Sequence, residues 1–600
     1  MIVKMHKYAF LVFYKEYKNF LEALQQLGVV HVFKKNETVP DEIKQKYVQI
    51  SQFEKAIQFL EKRENKQTIK IQDADGTVIM HEIVVKRNEL ETLEQELDET
   101  LKKYQKAKSW GDFSTEIIQK LKDEDIHLKF LTTSKKKYLD LIDAELPVEM
   151  ISEHGNLVYI VLIQKGNEEI TIDADEVKLP ELPYTEIKKK IEEIESTIER
   201  INKDLDVHAG SSIPLLEQCK NRTLDLLQFE NVIFNTTVEA DEKLMIMEGW
   251  VPATKKRQID EFFEKNNTLF IIDKATLKDN VPILLKNNRF SKLFEPIGSM
   301  FSLPDYSELD LTVFFAPFFM MFFGFCLGDA GYGLLFIIGA GLYKFKAKKA
   351  VKPLLSLIQF LGFATFIFGA ISGTFFGINL IDAEISLIAE YKSLFLNPDK
   401  MFNLALLLGG LQIIYGLFIK TVNQIKQYGF SYSLATIGWL IVILGSIIYT
   451  ILTSTEVIPQ NKTILYFIFS TGGFLIIFFS DPEINIFMKI GKGIWDVYST
   501  VTSIFGDLLS YIRLFALGLS SAILGFVIND IALQILGASK ILGPVFFVVF
   551  LLLGHTLNIL ISSLGSFVHP MRLTFVEFYK NAGFKGGGEE YKPFSKHIRI

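Results

Sequence analysis

Residues Gly506–Ile528 read GDLLSYIRLFALGLSSAILGFVI. The run is apolar for about as long as a helix needs to cross a bilayer, roughly 20 residues. Arg513 sits inside it. An arginine near the centre of such a helix costs about 2.5–3.5 kcal/mol on insertion scales, so it ordinarily faces a partner or a water-filled path. Helical spacing sharpens the point. Ser503, Gly506, Ser510, Arg513, Ala516 and Ser520 recur three or four positions apart and share one small, polar face. Leu, Ile and Phe occupy the other side.

The last long apolar stretch repeats the design. His555, Asn558, Ser562, Gly565, His569 and Arg572 run at steps of three and four. Two successive spans, each with a polar stripe and an arginine, point to an ion path rather than an anchor. The competing explanation for one arginine is snorkelling to the headgroups. It is stronger for Arg572, where the helix nears its end and Pro570 is expected to kink or stop it.

Composition divides the chain of 600 residues, net charge −6, near residue 311. Lys and Glu are dense before that point; Phe, Leu, Ile and Gly dominate after it. A modest net charge argues against nucleic acid as a partner. Cys219 and Cys326 are the two cysteines, one in a charged helical region and one in a span, so a disulfide is not expected and a reducing compartment is. The N-terminus has no uninterrupted apolar core and no small-residue cleavage site, so a signal peptide is not expected.

The first part is expected to be α+β. Tyr8–Tyr14, Glu16–Leu27 and Val29–Phe33 suggest strand, helix and strand, with Gly28 stopping the helix. Glu42–Lys66 and Val84–Lys108 are long charged helical patterns. Trp110–Leu139 looks like a second small α/β unit, and Val158–Ile163 with Glu169–Ile172 like a hairpin. Glu186–Asn235 carries Ile187, Ile191, Ile194, Ile198 and Ile201 at helical steps, which predicts one very long helix in an antiparallel coiled coil. Leu244–Val251 and Thr254–Lys265 return to strand and helix. No phosphate-loop signature and no zinc spacing occur, and no cofactor or metal is expected. The glycine run Gly586–Gly588 is expected to be a flexible joint.

The second part predicts an all-α membrane domain of eight transmembrane helices, near Leu311–Leu327, Tyr332–Tyr343, Leu354–Leu380, Phe402–Ile419, Tyr432–Leu452, Thr463–Phe479, Val501–Ile528 and Ile541–Val568. Lys344, Lys346, Lys348, Lys349 and Lys352 crowd one loop, and Lys420, Lys426, Lys489 and Lys492 fall on the same side. Those loops are expected to be cytoplasmic, with both termini. The expected domains are cytoplasmic lobes and arm at 1–300, the membrane domain at 301–580 and a cytoplasmic tail at 581–600.

A series of ordered motifs carries a resemblance. They are GWVP at Gly249–Pro252, VPILLKNNRF at Val281–Phe290, FGFCLGDAGYG at Phe323–Gly333, FGAISGTFFG at Phe368–Gly377, LGGLQIIYG at Leu408–Gly416, LSYIRLFALGL at Leu509–Leu519 and FVHPMRLTFVEFYKNAGFKGGGEEYKPF at Phe567–Phe594. Along its whole length the chain resembles the membrane stator subunit of V/A-type rotary ATPases, subunit I in prokaryotes and subunit a in eukaryotic vacuolar complexes. The resemblance implies a non-catalytic, ion-translocating subunit. It would form two ion half-channels against a rotor ring of carboxylate-bearing subunits and couple proton or sodium movement to ATP hydrolysis or synthesis. Peripheral-stalk subunits, the nucleotide-binding catalytic head, the central stalk and membrane lipid are the implied partners.

Arg513 matches the arginine that faces the passing rotor carboxylate, and Arg572 the second arginine of the family. Asp507, Ser510, Asn558, Ser562, His569, Glu577 and Gln412 are the implied wall residues. Asp329 is expected to be structural. Some members carry a glutamate ten residues before the second arginine, where Ser562 stands here, and lack a proline at the position of Pro570. The acidic lining is then expected from Asp507 or Glu577. The alternative class is a secondary ion transporter with a coiled-coil regulatory domain, which should show repeated halves with interrupted helices; no such repeat is visible.

Overall fold

A computed structural model describes residues 1–33, 40–63, 75–144, 146–166, 172–180, 182–239, 243–276, 279–379, 398–481, 484–538 and 542–596. The chain divides into two compact units. One contains Met1–Phe20, Val29–Phe33 and Thr237–Pro593; the other contains Leu21–Gly28, Lys34–Thr236 and Phe594–Ile600. These limits differ from the expected divisions at 300 and 580.

The chain opens with β1 (Met5–Phe13), α1 (Tyr14–Leu27) and β2 (His31–Val32). Alternation puts Tyr8, Phe10 and Val12 on one buried face of β1, while Met5, on the other face, is buried in a cluster with Trp250. The long unit that follows has α2 (Asp41–Glu61), α3 (Gly76–Lys108), α4 (Thr115–Asp123), β3 (Ile126–Ser134), α5 (Lys135–Asp143), β4 (Val148–His154), β5 (Leu157–Lys165), β6 (Asp175–Glu176), α6 (Tyr184–Ser211) and α7 (Ile213–Phe234). Glu186–Asn235 is therefore two helices. Pro214 lies in the first turn of α7, where its ring is tolerated; within one longer helix it would clash with a carbonyl one turn back.

α3 and α6 run antiparallel. Lys86 pairs with Asp204 at 2.9 Å, Glu96 with Lys190 at 2.7 Å, and the Tyr104 and Tyr184 hydroxyls lie 2.7 Å apart. Ile83, Leu90, Ile201 and Leu205 are buried together with Phe53 and Leu60 of α2, so this arm is a packed helical bundle with an apolar seam. β4, β5, β3 and β6 form an antiparallel sheet in that order. The hairpin partner of β5 is thus β4, which precedes it. Residues 169–171 of the expected partner Glu169–Ile172 lie outside the described residues.

The first unit resumes with β7 (Thr237–Glu239), β8 (Leu244–Pro252), α8 (Lys256–Lys265) and β9 (Leu269–Lys274). The sheet order is β2-β8-β1-β9, with β7 also on β8. β1 and β2 both pair antiparallel with β8 and lie on either side of it, so the expected strand–helix–strand unit is split by a strand from far along the chain. Ile259 and Phe263, one turn apart on α8, are fully buried, and Phe263 packs on the rings of Tyr8, Phe10 and Phe270.

Then come α9 (Glu295–Ser299), α10 (Thr312–Leu327), α11 (Ala330–Lys346), α12 (Lys352–Ser372), the small hairpin β10 (Thr374–Phe375) and β11 (Ile378–Asn379), α13 (Pro398–Tyr428), α14 (Phe430–Ser454), α15 (Lys462–Phe479), α16 (Ile486–Ser510), α17 (Ile512–Ala538), α18 (Gly543–Arg572), a π-helical turn at Leu573–Phe578 and α19 (Tyr579–Asn581). Among the described residues, six helical runs are long and apolar enough to cross a membrane: Lys352–Ser372, Asp399–Tyr428, Phe430–Ser454, Lys462–Phe479, Phe487–Gly537 and Gly543–Asn581.

α10 is shorter, 16 residues, and is apolar on every side. Such a helix belongs inside protein. Phe315, Phe319, Phe322 and Phe325 are fully buried, and α10 packs on α12, α17 and α18.

Two sequence expectations are corrected here. Val501–Ile528 is not one unbroken helix. α16 ends at Ser510 and α17 starts at Ile512; between them the Tyr511 N–H bonds the carbonyl three residues back, and Leu514 repeats this to Tyr511. The polar face drawn from Ser503 to Ser520 is interrupted there. Pro570 does not stop α18, which runs on to Arg572 and through the π turn. Beyond it, the Thr574 hydroxyl donates to the Pro570 carbonyl at 2.9 Å.

Candidate functional site

The GDAGYG turn sets the geometry. Gly328 ends α10 in the left-handed region, φ 53°, and Asp329 caps α11. The Asp329 carboxylate accepts the amides of Gly331 (2.8 Å) and Tyr332 (3.1 Å). It also accepts those of Phe376 (2.9 Å) and Gly377 (2.7 Å), from the β10–β11 hairpin. Two of the sequence motifs therefore meet on one buried carboxylate, and the structural expectation for Asp329 holds. Gly377, φ 69°, lies against the backbone of Gly525 in α17, where a Cβ would come within 2.3 Å. The hairpin is thus pressed onto α17.

α17 and α18 are antiparallel neighbours, and their polar residues face each other level by level. At one end the Asn529 side chain lies 3.0 Å from His555 Nε2 and donates to the Phe376 carbonyl at 2.7 Å. His555 Nδ1 lies 2.7 Å from the Tyr332 hydroxyl, which accepts from Asn558 Nδ2 at 2.9 Å. Asn558 also donates to the Ser521 carbonyl (3.3 Å) and accepts from Ser562 (2.8 Å). Asn558 and Ser562, expected as wall residues, belong to this closed network. Gly525 approaches Asn558, and Leu517 approaches Gly565, which carries the register onward.

At the middle level Arg513 of α17 stands near His569 of α18, with Arg572 also bearing on that imidazole. Arg513 Nη1 and His569 Nδ1 are buried and have no hydrogen-bond partner among the described residues. Arg572 is solvent-exposed.

The third level is acidic. Buried Asp507 accepts from Asn581 Nδ2 at 2.9 Å, lies 3.4 Å from Lys580 Nζ and is approached by Ser503 at 3.5 Å. Buried Glu577 sits in the π turn near Ser510, whose hydroxyl donates to the Gly506 carbonyl at 3.1 Å, and its Oε2 has no partner among the described residues. Gln412 of α13, fully buried, accepts from the Tyr511 hydroxyl at 2.7 Å and keeps an unpartnered Nε2. The structure thus gathers Asp507, Ser510, Glu577 and Gln412, sets Arg513, His569 and Arg572 beside them, and leaves Asn558 and Ser562 at the far end.

Sequence reasoning missed Tyr332, Asn529, Tyr511, Lys580 and Asn581 as partners. Tyr332 and Asn581 lie inside quoted motifs, but nothing in a motif says what its side chains touch. The register change at Tyr511 turns Ser510 toward Glu577, and the π turn inserts the extra residue that places Glu577 there. π turns of this sort recur at functional sites.

Gly586–Gly588 is not a flexible joint. The amides of Lys585 (2.7 Å) and Gly586 (3.2 Å) bond the buried Glu308 carboxylate, and Gly588 bonds the Leu303 carbonyl at 3.2 Å. Ile283 and Tyr591 are joined by backbone hydrogen bonds as well.

Comparison with known proteins follows the same ground. The model of the V-type ATPase 116 kDa subunit family matches residues 169–363 and 504–596, which include every residue named in the three levels except Phe376, Gln412 and Ser503. The V-type ATP synthase subunit I of Borreliella burgdorferi is 29% identical over 99% of this chain and 100% of its own length. The V-type ATP synthase subunit I 1 of Treponema pallidum is 25% identical over 99% and 100%. The A-type ATP synthase subunit I of Methanocaldococcus jannaschii is 27% identical over 59% and 55%. A crystal structure of the cytoplasmic N-terminal domain of subunit I, homolog of subunit a, of V-ATPase aligns with 45% of this chain and 100% of that one at 14% identity. Its TM-score of 0.24 is too low to bear on the fold. Six membrane-length helices in a chain so related describe an integral membrane subunit of a rotary ATPase rather than its catalytic subunit. By family model and by full-length relatives, the chain is similar to the V-type ATPase 116 kDa subunit family and to V-type ATP synthase subunit I.

Proposed function

We propose that this chain is the stator subunit of a V/A-type rotary ATPase and that α16, α17 and α18 carry its ion path. The carrying observation is Arg513: a guanidinium in an apolar helix, with a buried N–H that no group among the described residues accepts. Such a donor attracts a carboxylate brought alongside by another subunit. In a rotary complex that carboxylate belongs to the rotor ring. Arg513 holds it ionised as it passes, so the ion must leave before the site goes by, and the positive charge blocks a direct leak between two half-channels.

Asp507, Glu577, Ser510 and Gln412 line one half-channel; the closed Asn529, His555, Asn558 and Ser562 end holds α17 and α18 in register beside the path. Arg572 and His569 flank the crossing point. α18 supports the reading further: only 11% of its most apolar window is buried within the chain, which leaves a broad face for lipid or a ring subunit.

In this reading α10, α11, α12, α13, α14, α15, the α16–α17 run and α18 make eight crossings, with both termini cytoplasmic. Phe487–Gly537 spans 51 residues, which at about 1.5 Å each is more than twice a hydrocarbon core of roughly 30 Å, so it crosses strongly tilted or bent. Residues 1–300 form cytoplasmic lobes joined by a coiled-coil arm of α2, α3, α6 and α7 that grips peripheral stalks, 301–580 is the ion-translocating domain and 581–600 ends in the cytoplasm. The head and central stalk are reached through the complex.

Arg513→Gln is the test. In reconstituted vesicles it should abolish ATP-driven acidification or sodium uptake while the complex still assembles; near-normal uptake with intact assembly would refute the proposal. For topology, single cysteines at Lys346 and Glu456, in a chain lacking Cys219 and Cys326, should label from opposite sides of sealed vesicles. Same-side labelling would overturn eight crossings.

A further inference from the structure

Three stretches that the ion path does not use meet at one cleft of about 840 Å³. One is the VPILLKNNRF motif with the helical turns after it, one is the Lys-rich loop between α11 and α12, and one is the C-terminal GGGEEYKPF segment. Arg289, Lys292, Lys349 and Lys352 stand on its lining, and Ile283 and Leu293 belong to its apolar part. None of the four cations forms an ion pair with a carboxylate of the described residues.

Two acids also line the cleft. Glu590 is 3.4 Å from Lys592. Glu295 is held by Asn287, whose Nδ2 donates to its Oε1 at 3.0 Å, and burial raises its carboxyl above the usual range. α12 begins at Lys352 with no side-chain cap, so the first-turn amides and the positive end of its dipole add to the same field. α12 is also one of the membrane-length helices, so its first turn lies at headgroup level. Ile283, Leu284, Leu285, Leu293 and Pro296 give the lining a broad apolar wall. A free phosphate would leave that part uncovered; an amphiphile would cover it.

We propose that this cleft binds an anionic phospholipid, its phosphate held by Arg289, Lys292, Lys349 and Lys352 and the start of its acyl chains on the apolar wall. Basic pockets beside transmembrane helices on the cytoplasmic side suit such headgroups. Arg289 offers a planar fork for two phosphate oxygens, and the lysines add point charges. The volume is within the range of small-molecule sites, roughly 300–1,000 Å³.

The test uses the full chain in neutral detergent and short-chain phosphatidylglycerol, with binding followed by native mass spectrometry. Phosphatidylglycerol should bind, and the variant R289Q/K292Q/K349Q/K352Q should bind at least about tenfold more weakly. K346Q/K348Q, whose lysines lie outside the cleft, should bind as the parent chain does. Equal binding of phosphatidylcholine of the same chain length, or equal weakening in K346Q/K348Q, would overturn the site in favour of general surface charge. Competition by inorganic phosphate as strong as by the lipid would overturn the amphiphile. Should the fourfold variant fail to fold, a photoactivatable phosphatidylglycerol on the parent chain decides: crosslinks within 283–303 and 349–356 support the proposal, and crosslinks confined elsewhere refute it.

Discussion

The two ends of the α17–α18 pair are built from similar residues to opposite effect. At the Tyr332 end, the hydroxyl, both imidazole nitrogens and both ends of the Asn558 amide have partners within the chain. At the Arg513–Glu577 end, buried atoms of Arg513, His569, Glu577 and Gln412 have none among the described residues. A buried polar group left unpaired costs about 1–3 kcal/mol, more if charged. A fold tolerates several such groups together only where something else uses them. The closed end fixes how α11, α17 and α18 sit; the open end is where partner or ion chemistry belongs.

The sharpest way to break this contrast is Arg513→Lys. It keeps the charge but loses the planar fork, and a buried lysine gives up its proton more readily, so ion uptake per assembled complex should fall by about two orders of magnitude. Retained uptake would mean that charge alone suffices. Next comes the closed end's anchor. Asp329→Ala removes a helix cap and leaves four amides without their acceptor, which should cost about 3 kcal/mol and show as a lowered melting temperature and poor assembly. Full assembly would remove the Asp329 turn as a structural anchor.

A smaller effect is expected from Glu577→Gln. Its unpartnered oxygen makes the carboxylate dispensable for packing, so melting should shift by less than about 1 kcal/mol while uptake drops about tenfold, the equivalent of 1.4 kcal/mol in a barrier. A structural role would give the reverse pattern. The smallest effect belongs to Tyr332→Phe, which deletes two hydrogen bonds of the closed network and should cost about 1–2 kcal/mol of stability. Uptake normalised to assembled complex should stay within about twofold; a larger loss would assign the closed end to the ion path after all.

Much of this was legible along the chain. Apolar length marked the membrane half, and steps of three and four marked the stripe that α18 carries from His555 to Arg572. Period-two alternation located β1 and β8, and an isoleucine seam located α6. Those signals are local, because each depends on a repeat set by one element's own geometry.

What escaped depends on other elements. Pro214 broke the long arm helix, but a proline at a first turn and one inside a helix look alike until the helix limits are known. The strand between β1 and β2 came from more than 200 residues away. The glycine run at Gly586–Gly588 resembled a hinge, because its order comes from Glu308 across a long stretch of sequence.

The sequence by itself determined that half of this protein lies in an apolar medium, that Arg513 lies within it, and which residue types accompany it on each stripe. Tertiary structure alone decided which polar groups consume one another. Hydrogen bonds are short and directional, so whether Asn558 faces Tyr332, or Arg513 faces no acceptor among the described residues, follows from the antiparallel register of α17 and α18, the bend at Tyr511 and the π turn at Leu573–Phe578, none of which a single helix's periodicity encodes.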